Sequence, residues 1–285
     1  MLIQSDFHIH SECSCDASLP IAVIAEGAKK CGFERIGITD HMNDNSISSL
    51  SDVRRSAAAV KAVKEKYPFM LLGVELTPIQ RAEFDYIRKN GTNEGYVLRS
   101  DADRYGLELA QTKEELISLG IRYAVGASHW RVDTTGTNEG DGDADSLIRE
   151  LFRQQMWLAQ DERVTILGHP WYFDFKNLPW AEDFSIVPRS MNGELIAALK
   201  ESGKCMECNT SMLIRPAERA RHQYAEFLRE AFESGLRITF GSDSHSVYND
   251  NRMGGPRGDL AIEKYLRAAG FKDGDFYTLR ESDLW

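Results

Sequence analysis

Cysteine is scarce in this sequence, and the shortage removes a class of folds. Five cysteines (Cys13, Cys15, Cys31, Cys205 and Cys208) in 285 residues form an odd and thin set. They do not suit a small secreted disulfide scaffold, and they fit a reducing cytoplasm. Cys205 and Cys208 make a CxxC, but it lies in the strand-like run GKCMECNTS, with no second pair to complete a zinc ribbon. Proline is also thin, at 8 residues, and no proline-rich linker, low-complexity segment or internal repeat divides the chain. One domain over residues 1–285 is therefore expected. No apolar run approaches the ~20 residues of a membrane span. The opening MLIQSDFHIH lacks a basic stretch followed by an apolar one, so no secretory leader is expected. Basic residues are outnumbered, 34 to 44, giving a net charge of −10. That balance counts against long nucleic acid or an anionic membrane as the main partner.

What is present is enough apolar material for a large core, 42% of residues, arranged as short β-rich runs alternating with longer helical patterns. The runs LIQSDFHI, RIGIT, FMLLGVEL, RYAVGAS, VTILGH, KCMECN and RITFGS predict seven strands. Helices are expected over residues 20–32, 51–66, 113–119, 145–160, 191–202, 216–234 and 258–269. This alternation predicts an α/β fold with a parallel sheet covered on both faces. A closed barrel and an open doubly wound sheet both satisfy the pattern. Three stretches, about 78–111, 130–143 and 171–189, read as long loops. Their Tyr86, Trp130, Arg131, Trp171, Tyr172 and Arg189 are candidate walls of a substrate site.

The chain has only seven histidines, yet DFHIH places His8 and His10 one residue apart. In a strand, alternate side chains share a face, so both imidazoles aim at one point, as ligands of a common ion would. The other histidines extend the pattern. Asp40 and His41 follow the second strand in TDH, Glu75 closes the third in GVELTP, and His129 closes the fourth in ASHW. His169 closes the fifth in LGHP, and Asp243 and His245 close the seventh in SDSH. Only His222 lies elsewhere, in a helix, as an ordinary surface residue. In parallel α/β folds the carboxyl ends of the strands gather at one face, where active sites are built. Imidazole with carboxylate suits Zn, Mn or Fe. Six histidines and at least two carboxylates exceed the ligands of one catalytic zinc, so two to three divalent ions are expected, with Glu75 placed to bridge a pair. Two such ions can hold a hydroxide between them and brace both oxygens of a displacement.

The ordered set HxH, Asp16, TDH, strand-end Glu, SH, GHP and SDSH resembles the PHP (polymerase and histidinol phosphatase) family, with a match running from His8 to His245. The resemblance implies a distorted (β/α)7 barrel, a trinuclear metal centre at the carboxyl ends of the strands and phosphoester hydrolysis by a PHP-type catalytic domain. It implies that His8, His10, Glu75 and Asp243 hold one ion, that Glu75 is shared with a second ion on His129 and His169, and that Asp16, His41 and His245 hold a third. Asp16 stands where some family members have histidine, so the third ion is expected to be the labile one. AVGASHW and MECNTSMLIRP are similar to stretches of histidinol phosphatases, although Met212 replaces a glycine and TDH replaces their common TEH.

These features predict a cytoplasmic phosphatase acting on a small phosphomonoester, with L-histidinol phosphate a candidate substrate and Glu75, His129, Asp243 and Arg215 as the catalytic group. Arg215, just after the sixth strand, is the expected phosphate clamp, because a planar guanidinium matches phosphate oxygens; Arg131 and Arg257 stand behind it. A nuclease or nucleotide phosphodiesterase on the same ions would need stacking aromatics, for which Trp130 and Trp171 are available, but the acidic balance opposes long polymers. A non-catalytic metal-binding module is disfavoured by so large a ligand set.

Overall fold

Each β-rich run does become a short strand, and the helices between them are set by ordinary local signals. The structure, a computed structural model, describes residues 2–42, 50–97, 106–130, 132, 144–172, 179–245 and 259–285. In chain order the elements are β1 (Ser5–Asp6), α1 (Ile21–Cys31), β2 (Arg35–Ile38), α2 (Leu50–Val63), β3 (Met70–Leu72), β4 (Val74–Leu76), β5 (Ile79–Gln80), α3 (Arg81–Asn90), β6 (Leu107–Glu108) and α4 (Lys113–Ser118). There follow β7 (Ala124–Gly126), α5 (Ala144–Gln160), β8 (Ile166–Leu167), α6 (Arg189–Glu201), β9 (Cys205–Asn209), α7 (Thr210–Ile214), α8 (Glu218–Glu233), β10 (Arg237–Gly241) and α9 (Asp259–Ala268). Helix α1 shows the logic. Pro20 precedes it, Ile21, Ile24, Ala25 and Ala28 form its buried stripe, and Gly32 ends it at φ 75°, a conformation costly for any residue with a Cβ. Helix α4 is opened by reciprocal bonds between Thr112 and Glu115. Among the described residues no helix is long and apolar enough to cross a membrane.

The strands pair in parallel as β1-β2-β3 and as β10-β9-β8-β7-β4. The two ladders meet on both sides. On one, the Phe7 N–H donates to Phe240 O (2.9 Å), Asp243 N–H to His8 O (2.8 Å) and His10 N–H to Ser244 O (3.0 Å). On the other, His41 bridges to Glu75 beyond the end of β2, and Met42 N–H donates to Glu75 O (3.0 Å). The result is the expected α/β barrel of seven parallel strand segments, β3 and β4 counting as one, and its irregular junctions are the distortion. Side-chain alternation separates two cores. Met70, Leu72 and Ala124 join the large core beneath the helices. Their neighbours Leu71 and Val125 join a smaller cluster with Phe7, Tyr123, Ile166, Cys205 and Leu279, on the opposite strand face inside the ring.

Two expectations need correction. The stretch 78–111 is not a plain loop, because Ile79–Gln80 and Leu107–Glu108 form an antiparallel pair and Arg81–Asn90 a helix. Two-residue strands are too short to show alternation, and Gly91, at φ 77°, marks the helix end. The stretch 171–189 contains two 3₁₀ turns, Pro179–Ala181 and Phe184–Ile186. Its Trp171 is fully buried, stacked on Phe152 with its carbonyl accepting from Trp180 Nε1 at 2.6 Å. Trp171 is therefore core, and not a wall of the site. Most of 130–143 lies outside the described residues.

Tyr123 fixes the floor of the ring. Its hydroxyl donates to Phe7 O at 2.8 Å, and its ring fills the space left by two glycines. A Cβ on Gly37 would lie 1.7 Å from the Tyr123 hydroxyl oxygen, and one on Gly73 would lie 2.6 Å from the ring. Gly37→Ala should therefore cost about 1–3 kcal/mol by overpacking, and Tyr123→Phe about 1 kcal/mol for the lost bond. Because the phenylalanine removes the nearest of the atoms that the new methyl strikes, the double variant should cost less than the sum, as read by urea unfolding. Additive costs would mean that the two residues do not share this space.

Candidate metal centre

The strand ends bring the predicted donors together. His8 and His10 follow β1, His41 follows β2, Glu75 lies in β4, His129 follows β7, His169 follows β8, and Asp243 and His245 follow β10. Glu75 is the centre of the set. Its carboxylate lies 3.2 Å from His8 Nε2, 3.4 Å from His10 Nε2, 2.7 Å from His41 Nδ1, and 3.2 Å from both His129 Nε2 and His169 Nε2. Asp243 Oδ1 lies 3.3 Å from His10 Nε2 and 3.6 Å from His8 Nε2. Asp16 Oδ2 lies 3.2 Å from His41 Nε2 and 3.4 Å from His245 Nε2. The donor atoms fall into three groups, each within 4.8 Å: His10, Asp16, His41 and His245; His8, His10 and Asp243; His41, Glu75 and His129. Compared with the expected sets, His10 also joins the Asp16 group, and His41 approaches Glu75. Asp16 is the exposed member, its side chain 45% accessible, whereas Glu75, His8 and His10 are fully buried.

This donor set fits divalent ions, on grounds internal to the structure. The Nε2 atoms of His8 and His10 face each other at 3.2 Å. His41 Nδ1 and Glu75 Oε2, though 2.7 Å apart, are not in hydrogen-bonding geometry, and both are buried without a hydrogen-bond partner. Buried polar atoms rarely stay unpartnered, and lone pairs aimed at one point are what a cation satisfies. Burial, with His245 and His41 beside it, pushes His10 down to about 3, which keeps it a neutral ligand-type imidazole at neutral pH. Burial alone would raise the Glu75 carboxyl, but His129, His8 and His41 hold it well below the usual carboxylate range.

Partners behind the donors hold them in place. Asp40 accepts from the Ser11 N–H (2.6 Å), the Ser11 hydroxyl (2.7 Å) and the Ser56 hydroxyl, tying the turn after His10 to β2 and α2. Thr77 Oγ1 lies 2.7 Å from His129 Nδ1. His169 and Asp243 have φ of 26° and 53°, in the left-handed region that non-glycine residues rarely adopt. Sequence reading passed over Glu207, which is buried in the middle of β9 and contacts His8 Nδ1 at 2.8 Å. The available signal is one acidic residue in a strand otherwise made of Cys, Met and Asn.

A cavity of about 250 Å³ opens onto the cluster, lined by Asp16, His41, His129, His169, Asp243 and His245 together with Tyr172, Ser211 and Arg215. Arg215 follows α7, the short helix capped by Asn209, and donates from Nη1 to the Tyr172 hydroxyl at 2.6 Å. The Tyr172 ring in turn stands edge-on to His169, 5.5 Å between centroids. Of the expected walls, Tyr172 lines this cavity. Trp130 packs against His129, 5.9 Å between centroids. Tyr86 donates to Glu94 O, Arg189 is exposed at the start of α6, and neither lines it. His222 is exposed on α8, as expected. Arg131 and Arg257 lie outside the described residues.

A family model for the PHP domain matches residues 6–211. In structure the chain is similar to histidinol phosphate phosphatase from Lactococcus lactis subsp. lactis Il1403, solved with zinc, L-histidinol and phosphate, at 18% identity and a TM-score of 0.68, over 100% of this chain and 99% of that one. It is also similar to a candidate histidinol phosphatase from Listeria monocytogenes, at 14% identity and a TM-score of 0.62, over 87% of this chain and 97% of that one. At these identities the likeness speaks for the fold. No curated protein sequence matches the chain.

Proposed function

We propose, from the premise that the chain belongs to the PHP domain family and is a metal-dependent phosphoesterase, that it hydrolyses a small phosphomonoester. One observation carries the reading: Arg215 shares a small cavity with the histidine and carboxylate cluster. A space of about 250 Å³ suits a small ligand. Divalent ions bound at the cluster would supply a water ionised near neutral pH and positive charge for the phosphoryl oxygens. In the proposed assignment His8, His10, Glu75 and Asp243 hold the first ion, Glu75, His129 and His169 the second, and Asp16, His41 and His245 the third. Arg215 would take phosphoryl oxygens not engaged by the ions, oriented by its bond to the Tyr172 hydroxyl. Tyr172 and Ser211 would line the path of the leaving alcohol.

L-Histidinol phosphate is the first substrate to test, because the Lactococcus lactis protein was solved with L-histidinol and phosphate and MECNTSMLIRP resembles stretches of histidinol phosphatases. An odd and sparse set of five cysteines suits work in a reducing cytoplasm. The reading is tested by assaying the Zn- or Mn-loaded protein against phosphomonoesters, cyclic phosphates and oligonucleotides. Hydrolysis of monoesters with the other two inert supports it, and cleavage confined to diesters contradicts it.

Two variants divide the roles. Asp16, the exposed carboxylate, should govern one ion only: Asp16→Ala should lower bound metal by about one equivalent, by elemental analysis, with circular dichroism unchanged. Unchanged metal content would make Asp16 a turn residue. Arg215 should act on phosphate and not on metal. Charge-assisted bonds contribute about 1.5–3 kcal/mol, so Arg215→Ala should lower kcat/KM roughly ten- to a hundredfold with metal content unchanged. Lysine should recover part of the loss, lacking the bidentate geometry. Wild-type efficiency in Arg215→Ala would remove it from the site.

A further inference from the structure

Glu207 is a buried carboxylate in contact with a ring nitrogen of the cluster, and the ligand assignment leaves it unused. It sits at the middle of β9, opposite Thr239 of β10, and only 1% exposed. Both of its oxygens are engaged. Oε1 lies 2.8 Å from His8 Nδ1. Oε2 accepts from the backbone N–H of His169 at 2.5 Å and from Asn209 Nδ2 at 3.1 Å. Asn209 also reaches Asp243 Oδ2 at 3.4 Å. Room for this reach is kept by Gly241. A Cβ there would fall 1.7 Å from Glu207 Oε1 and 2.7 Å from the Cβ of His8.

The contacts have a chemical consequence. A carboxylate has lone pairs only, so the nitrogen of His8 that faces it must carry a proton. A neutral imidazole has one N–H and one lone pair. In His8 as a neutral metal ligand the lone pair would then be on Nε2, the atom that faces Glu75, His10 and Asp243 at 3.2, 3.2 and 3.6 Å. The same carboxylate holds the His169 N–H, where φ is 26°, a backbone angle that needs outside support. His8 and His169 leave different strands, β1 and β8, and both reach Glu75 Oε1, each at 3.2 Å.

We propose that Glu207 is a positioning residue of the metal centre: it sets the tautomer of His8 and pins the backbone of His169, and so couples two ligands that belong to different ions. The inference rests on the proposed metal-binding role of the cluster. A glutamine is the discriminating replacement. It has the shape of glutamate but one acceptor and one donor end. If its oxygen faces the His169 N–H, its amide N–H₂ faces His8 Nδ1 and moves the imidazole proton to Nε2, which blocks ligation. If it turns around, two N–H groups confront each other at His169. Either orientation disables one ligand.

The test compares zinc binding to apoprotein of the wild type and Glu207→Gln by competition with a chelator, with circular dichroism as a check on folding. Outer partners of metal ligands are typically worth ten- to a hundredfold in affinity. Glu207→Gln should therefore release zinc from at least one position at ten- to a hundredfold lower competitor concentration, with its fold unchanged. Equal zinc affinity in the two proteins overturns this inference alone. A wild type that takes up no zinc overturns the metal reading and this inference together. NMR of the zinc-loaded wild type with ¹⁵N-labelled histidine decides the matter even if the variant does not fold: a proton on His8 Nδ1 with zinc at Nε2 is expected, and a His8 Nδ1 without a proton contradicts it.

Discussion

Much of this molecule is arranged around a fully buried carboxylate. Glu75 has no solvent contact, and removing a charge from water costs several kcal/mol unless it is compensated. Five imidazoles lie within 3.4 Å of it, delivered by the ends of four strand segments. A parallel barrel is well suited to this, because all its strands end on the same face. The donors of this cluster stand as close as 3.2 Å with buried atoms left unpartnered, and cations at the centre would relieve lone pairs that confront one another. Fold, charge and metal dependence are consequences of one constraint.

The surroundings of Glu75 show how geometry is held at that density. His169 and Asp243 occupy left-handed backbone positions, and each is tied down by a neighbour, His169 by Glu207 and Asp243 by the carbonyl of His8. Asp40 anchors the turn after His10 through two serines. Inside the ring, Tyr123 presses against Gly37 and Gly73. Burial is complete at Glu75 and least at Asp16, the half-exposed carboxylate at the rim. Under the proposed assignment, that gradient would make the ion at Asp16 the exchangeable one.

Much of this was legible in the sequence because its signals are local. Each donor sits at the end of a β-rich run, so the seven strands and the convergence of His8, His10, His41, Glu75, His129, His169, Asp243 and His245 could be read together. What escaped depends on tertiary packing. Glu207 is adjacent in space to His8 but 199 residues away in sequence, and a lone acid in a strand does not reveal what it faces. Trp171 reads as a wall of the site because it is an aromatic of the loop-like stretch 171–189, yet its indole turns back onto Phe152 while the next residue, Tyr172, lines the cavity. The β5–β6 pair is too short to show alternation, and α7, five residues long, falls below the length at which helical periodicity can be seen.

Anomalous diffraction from crystals of the zinc-loaded protein tests the central claim most directly, because it counts the ions and locates them against named side chains. Two or three peaks among the strand ends, with Glu75 contacting two of them, are predicted. A single peak, or none, or ions that leave Glu75 untouched, would contradict the account.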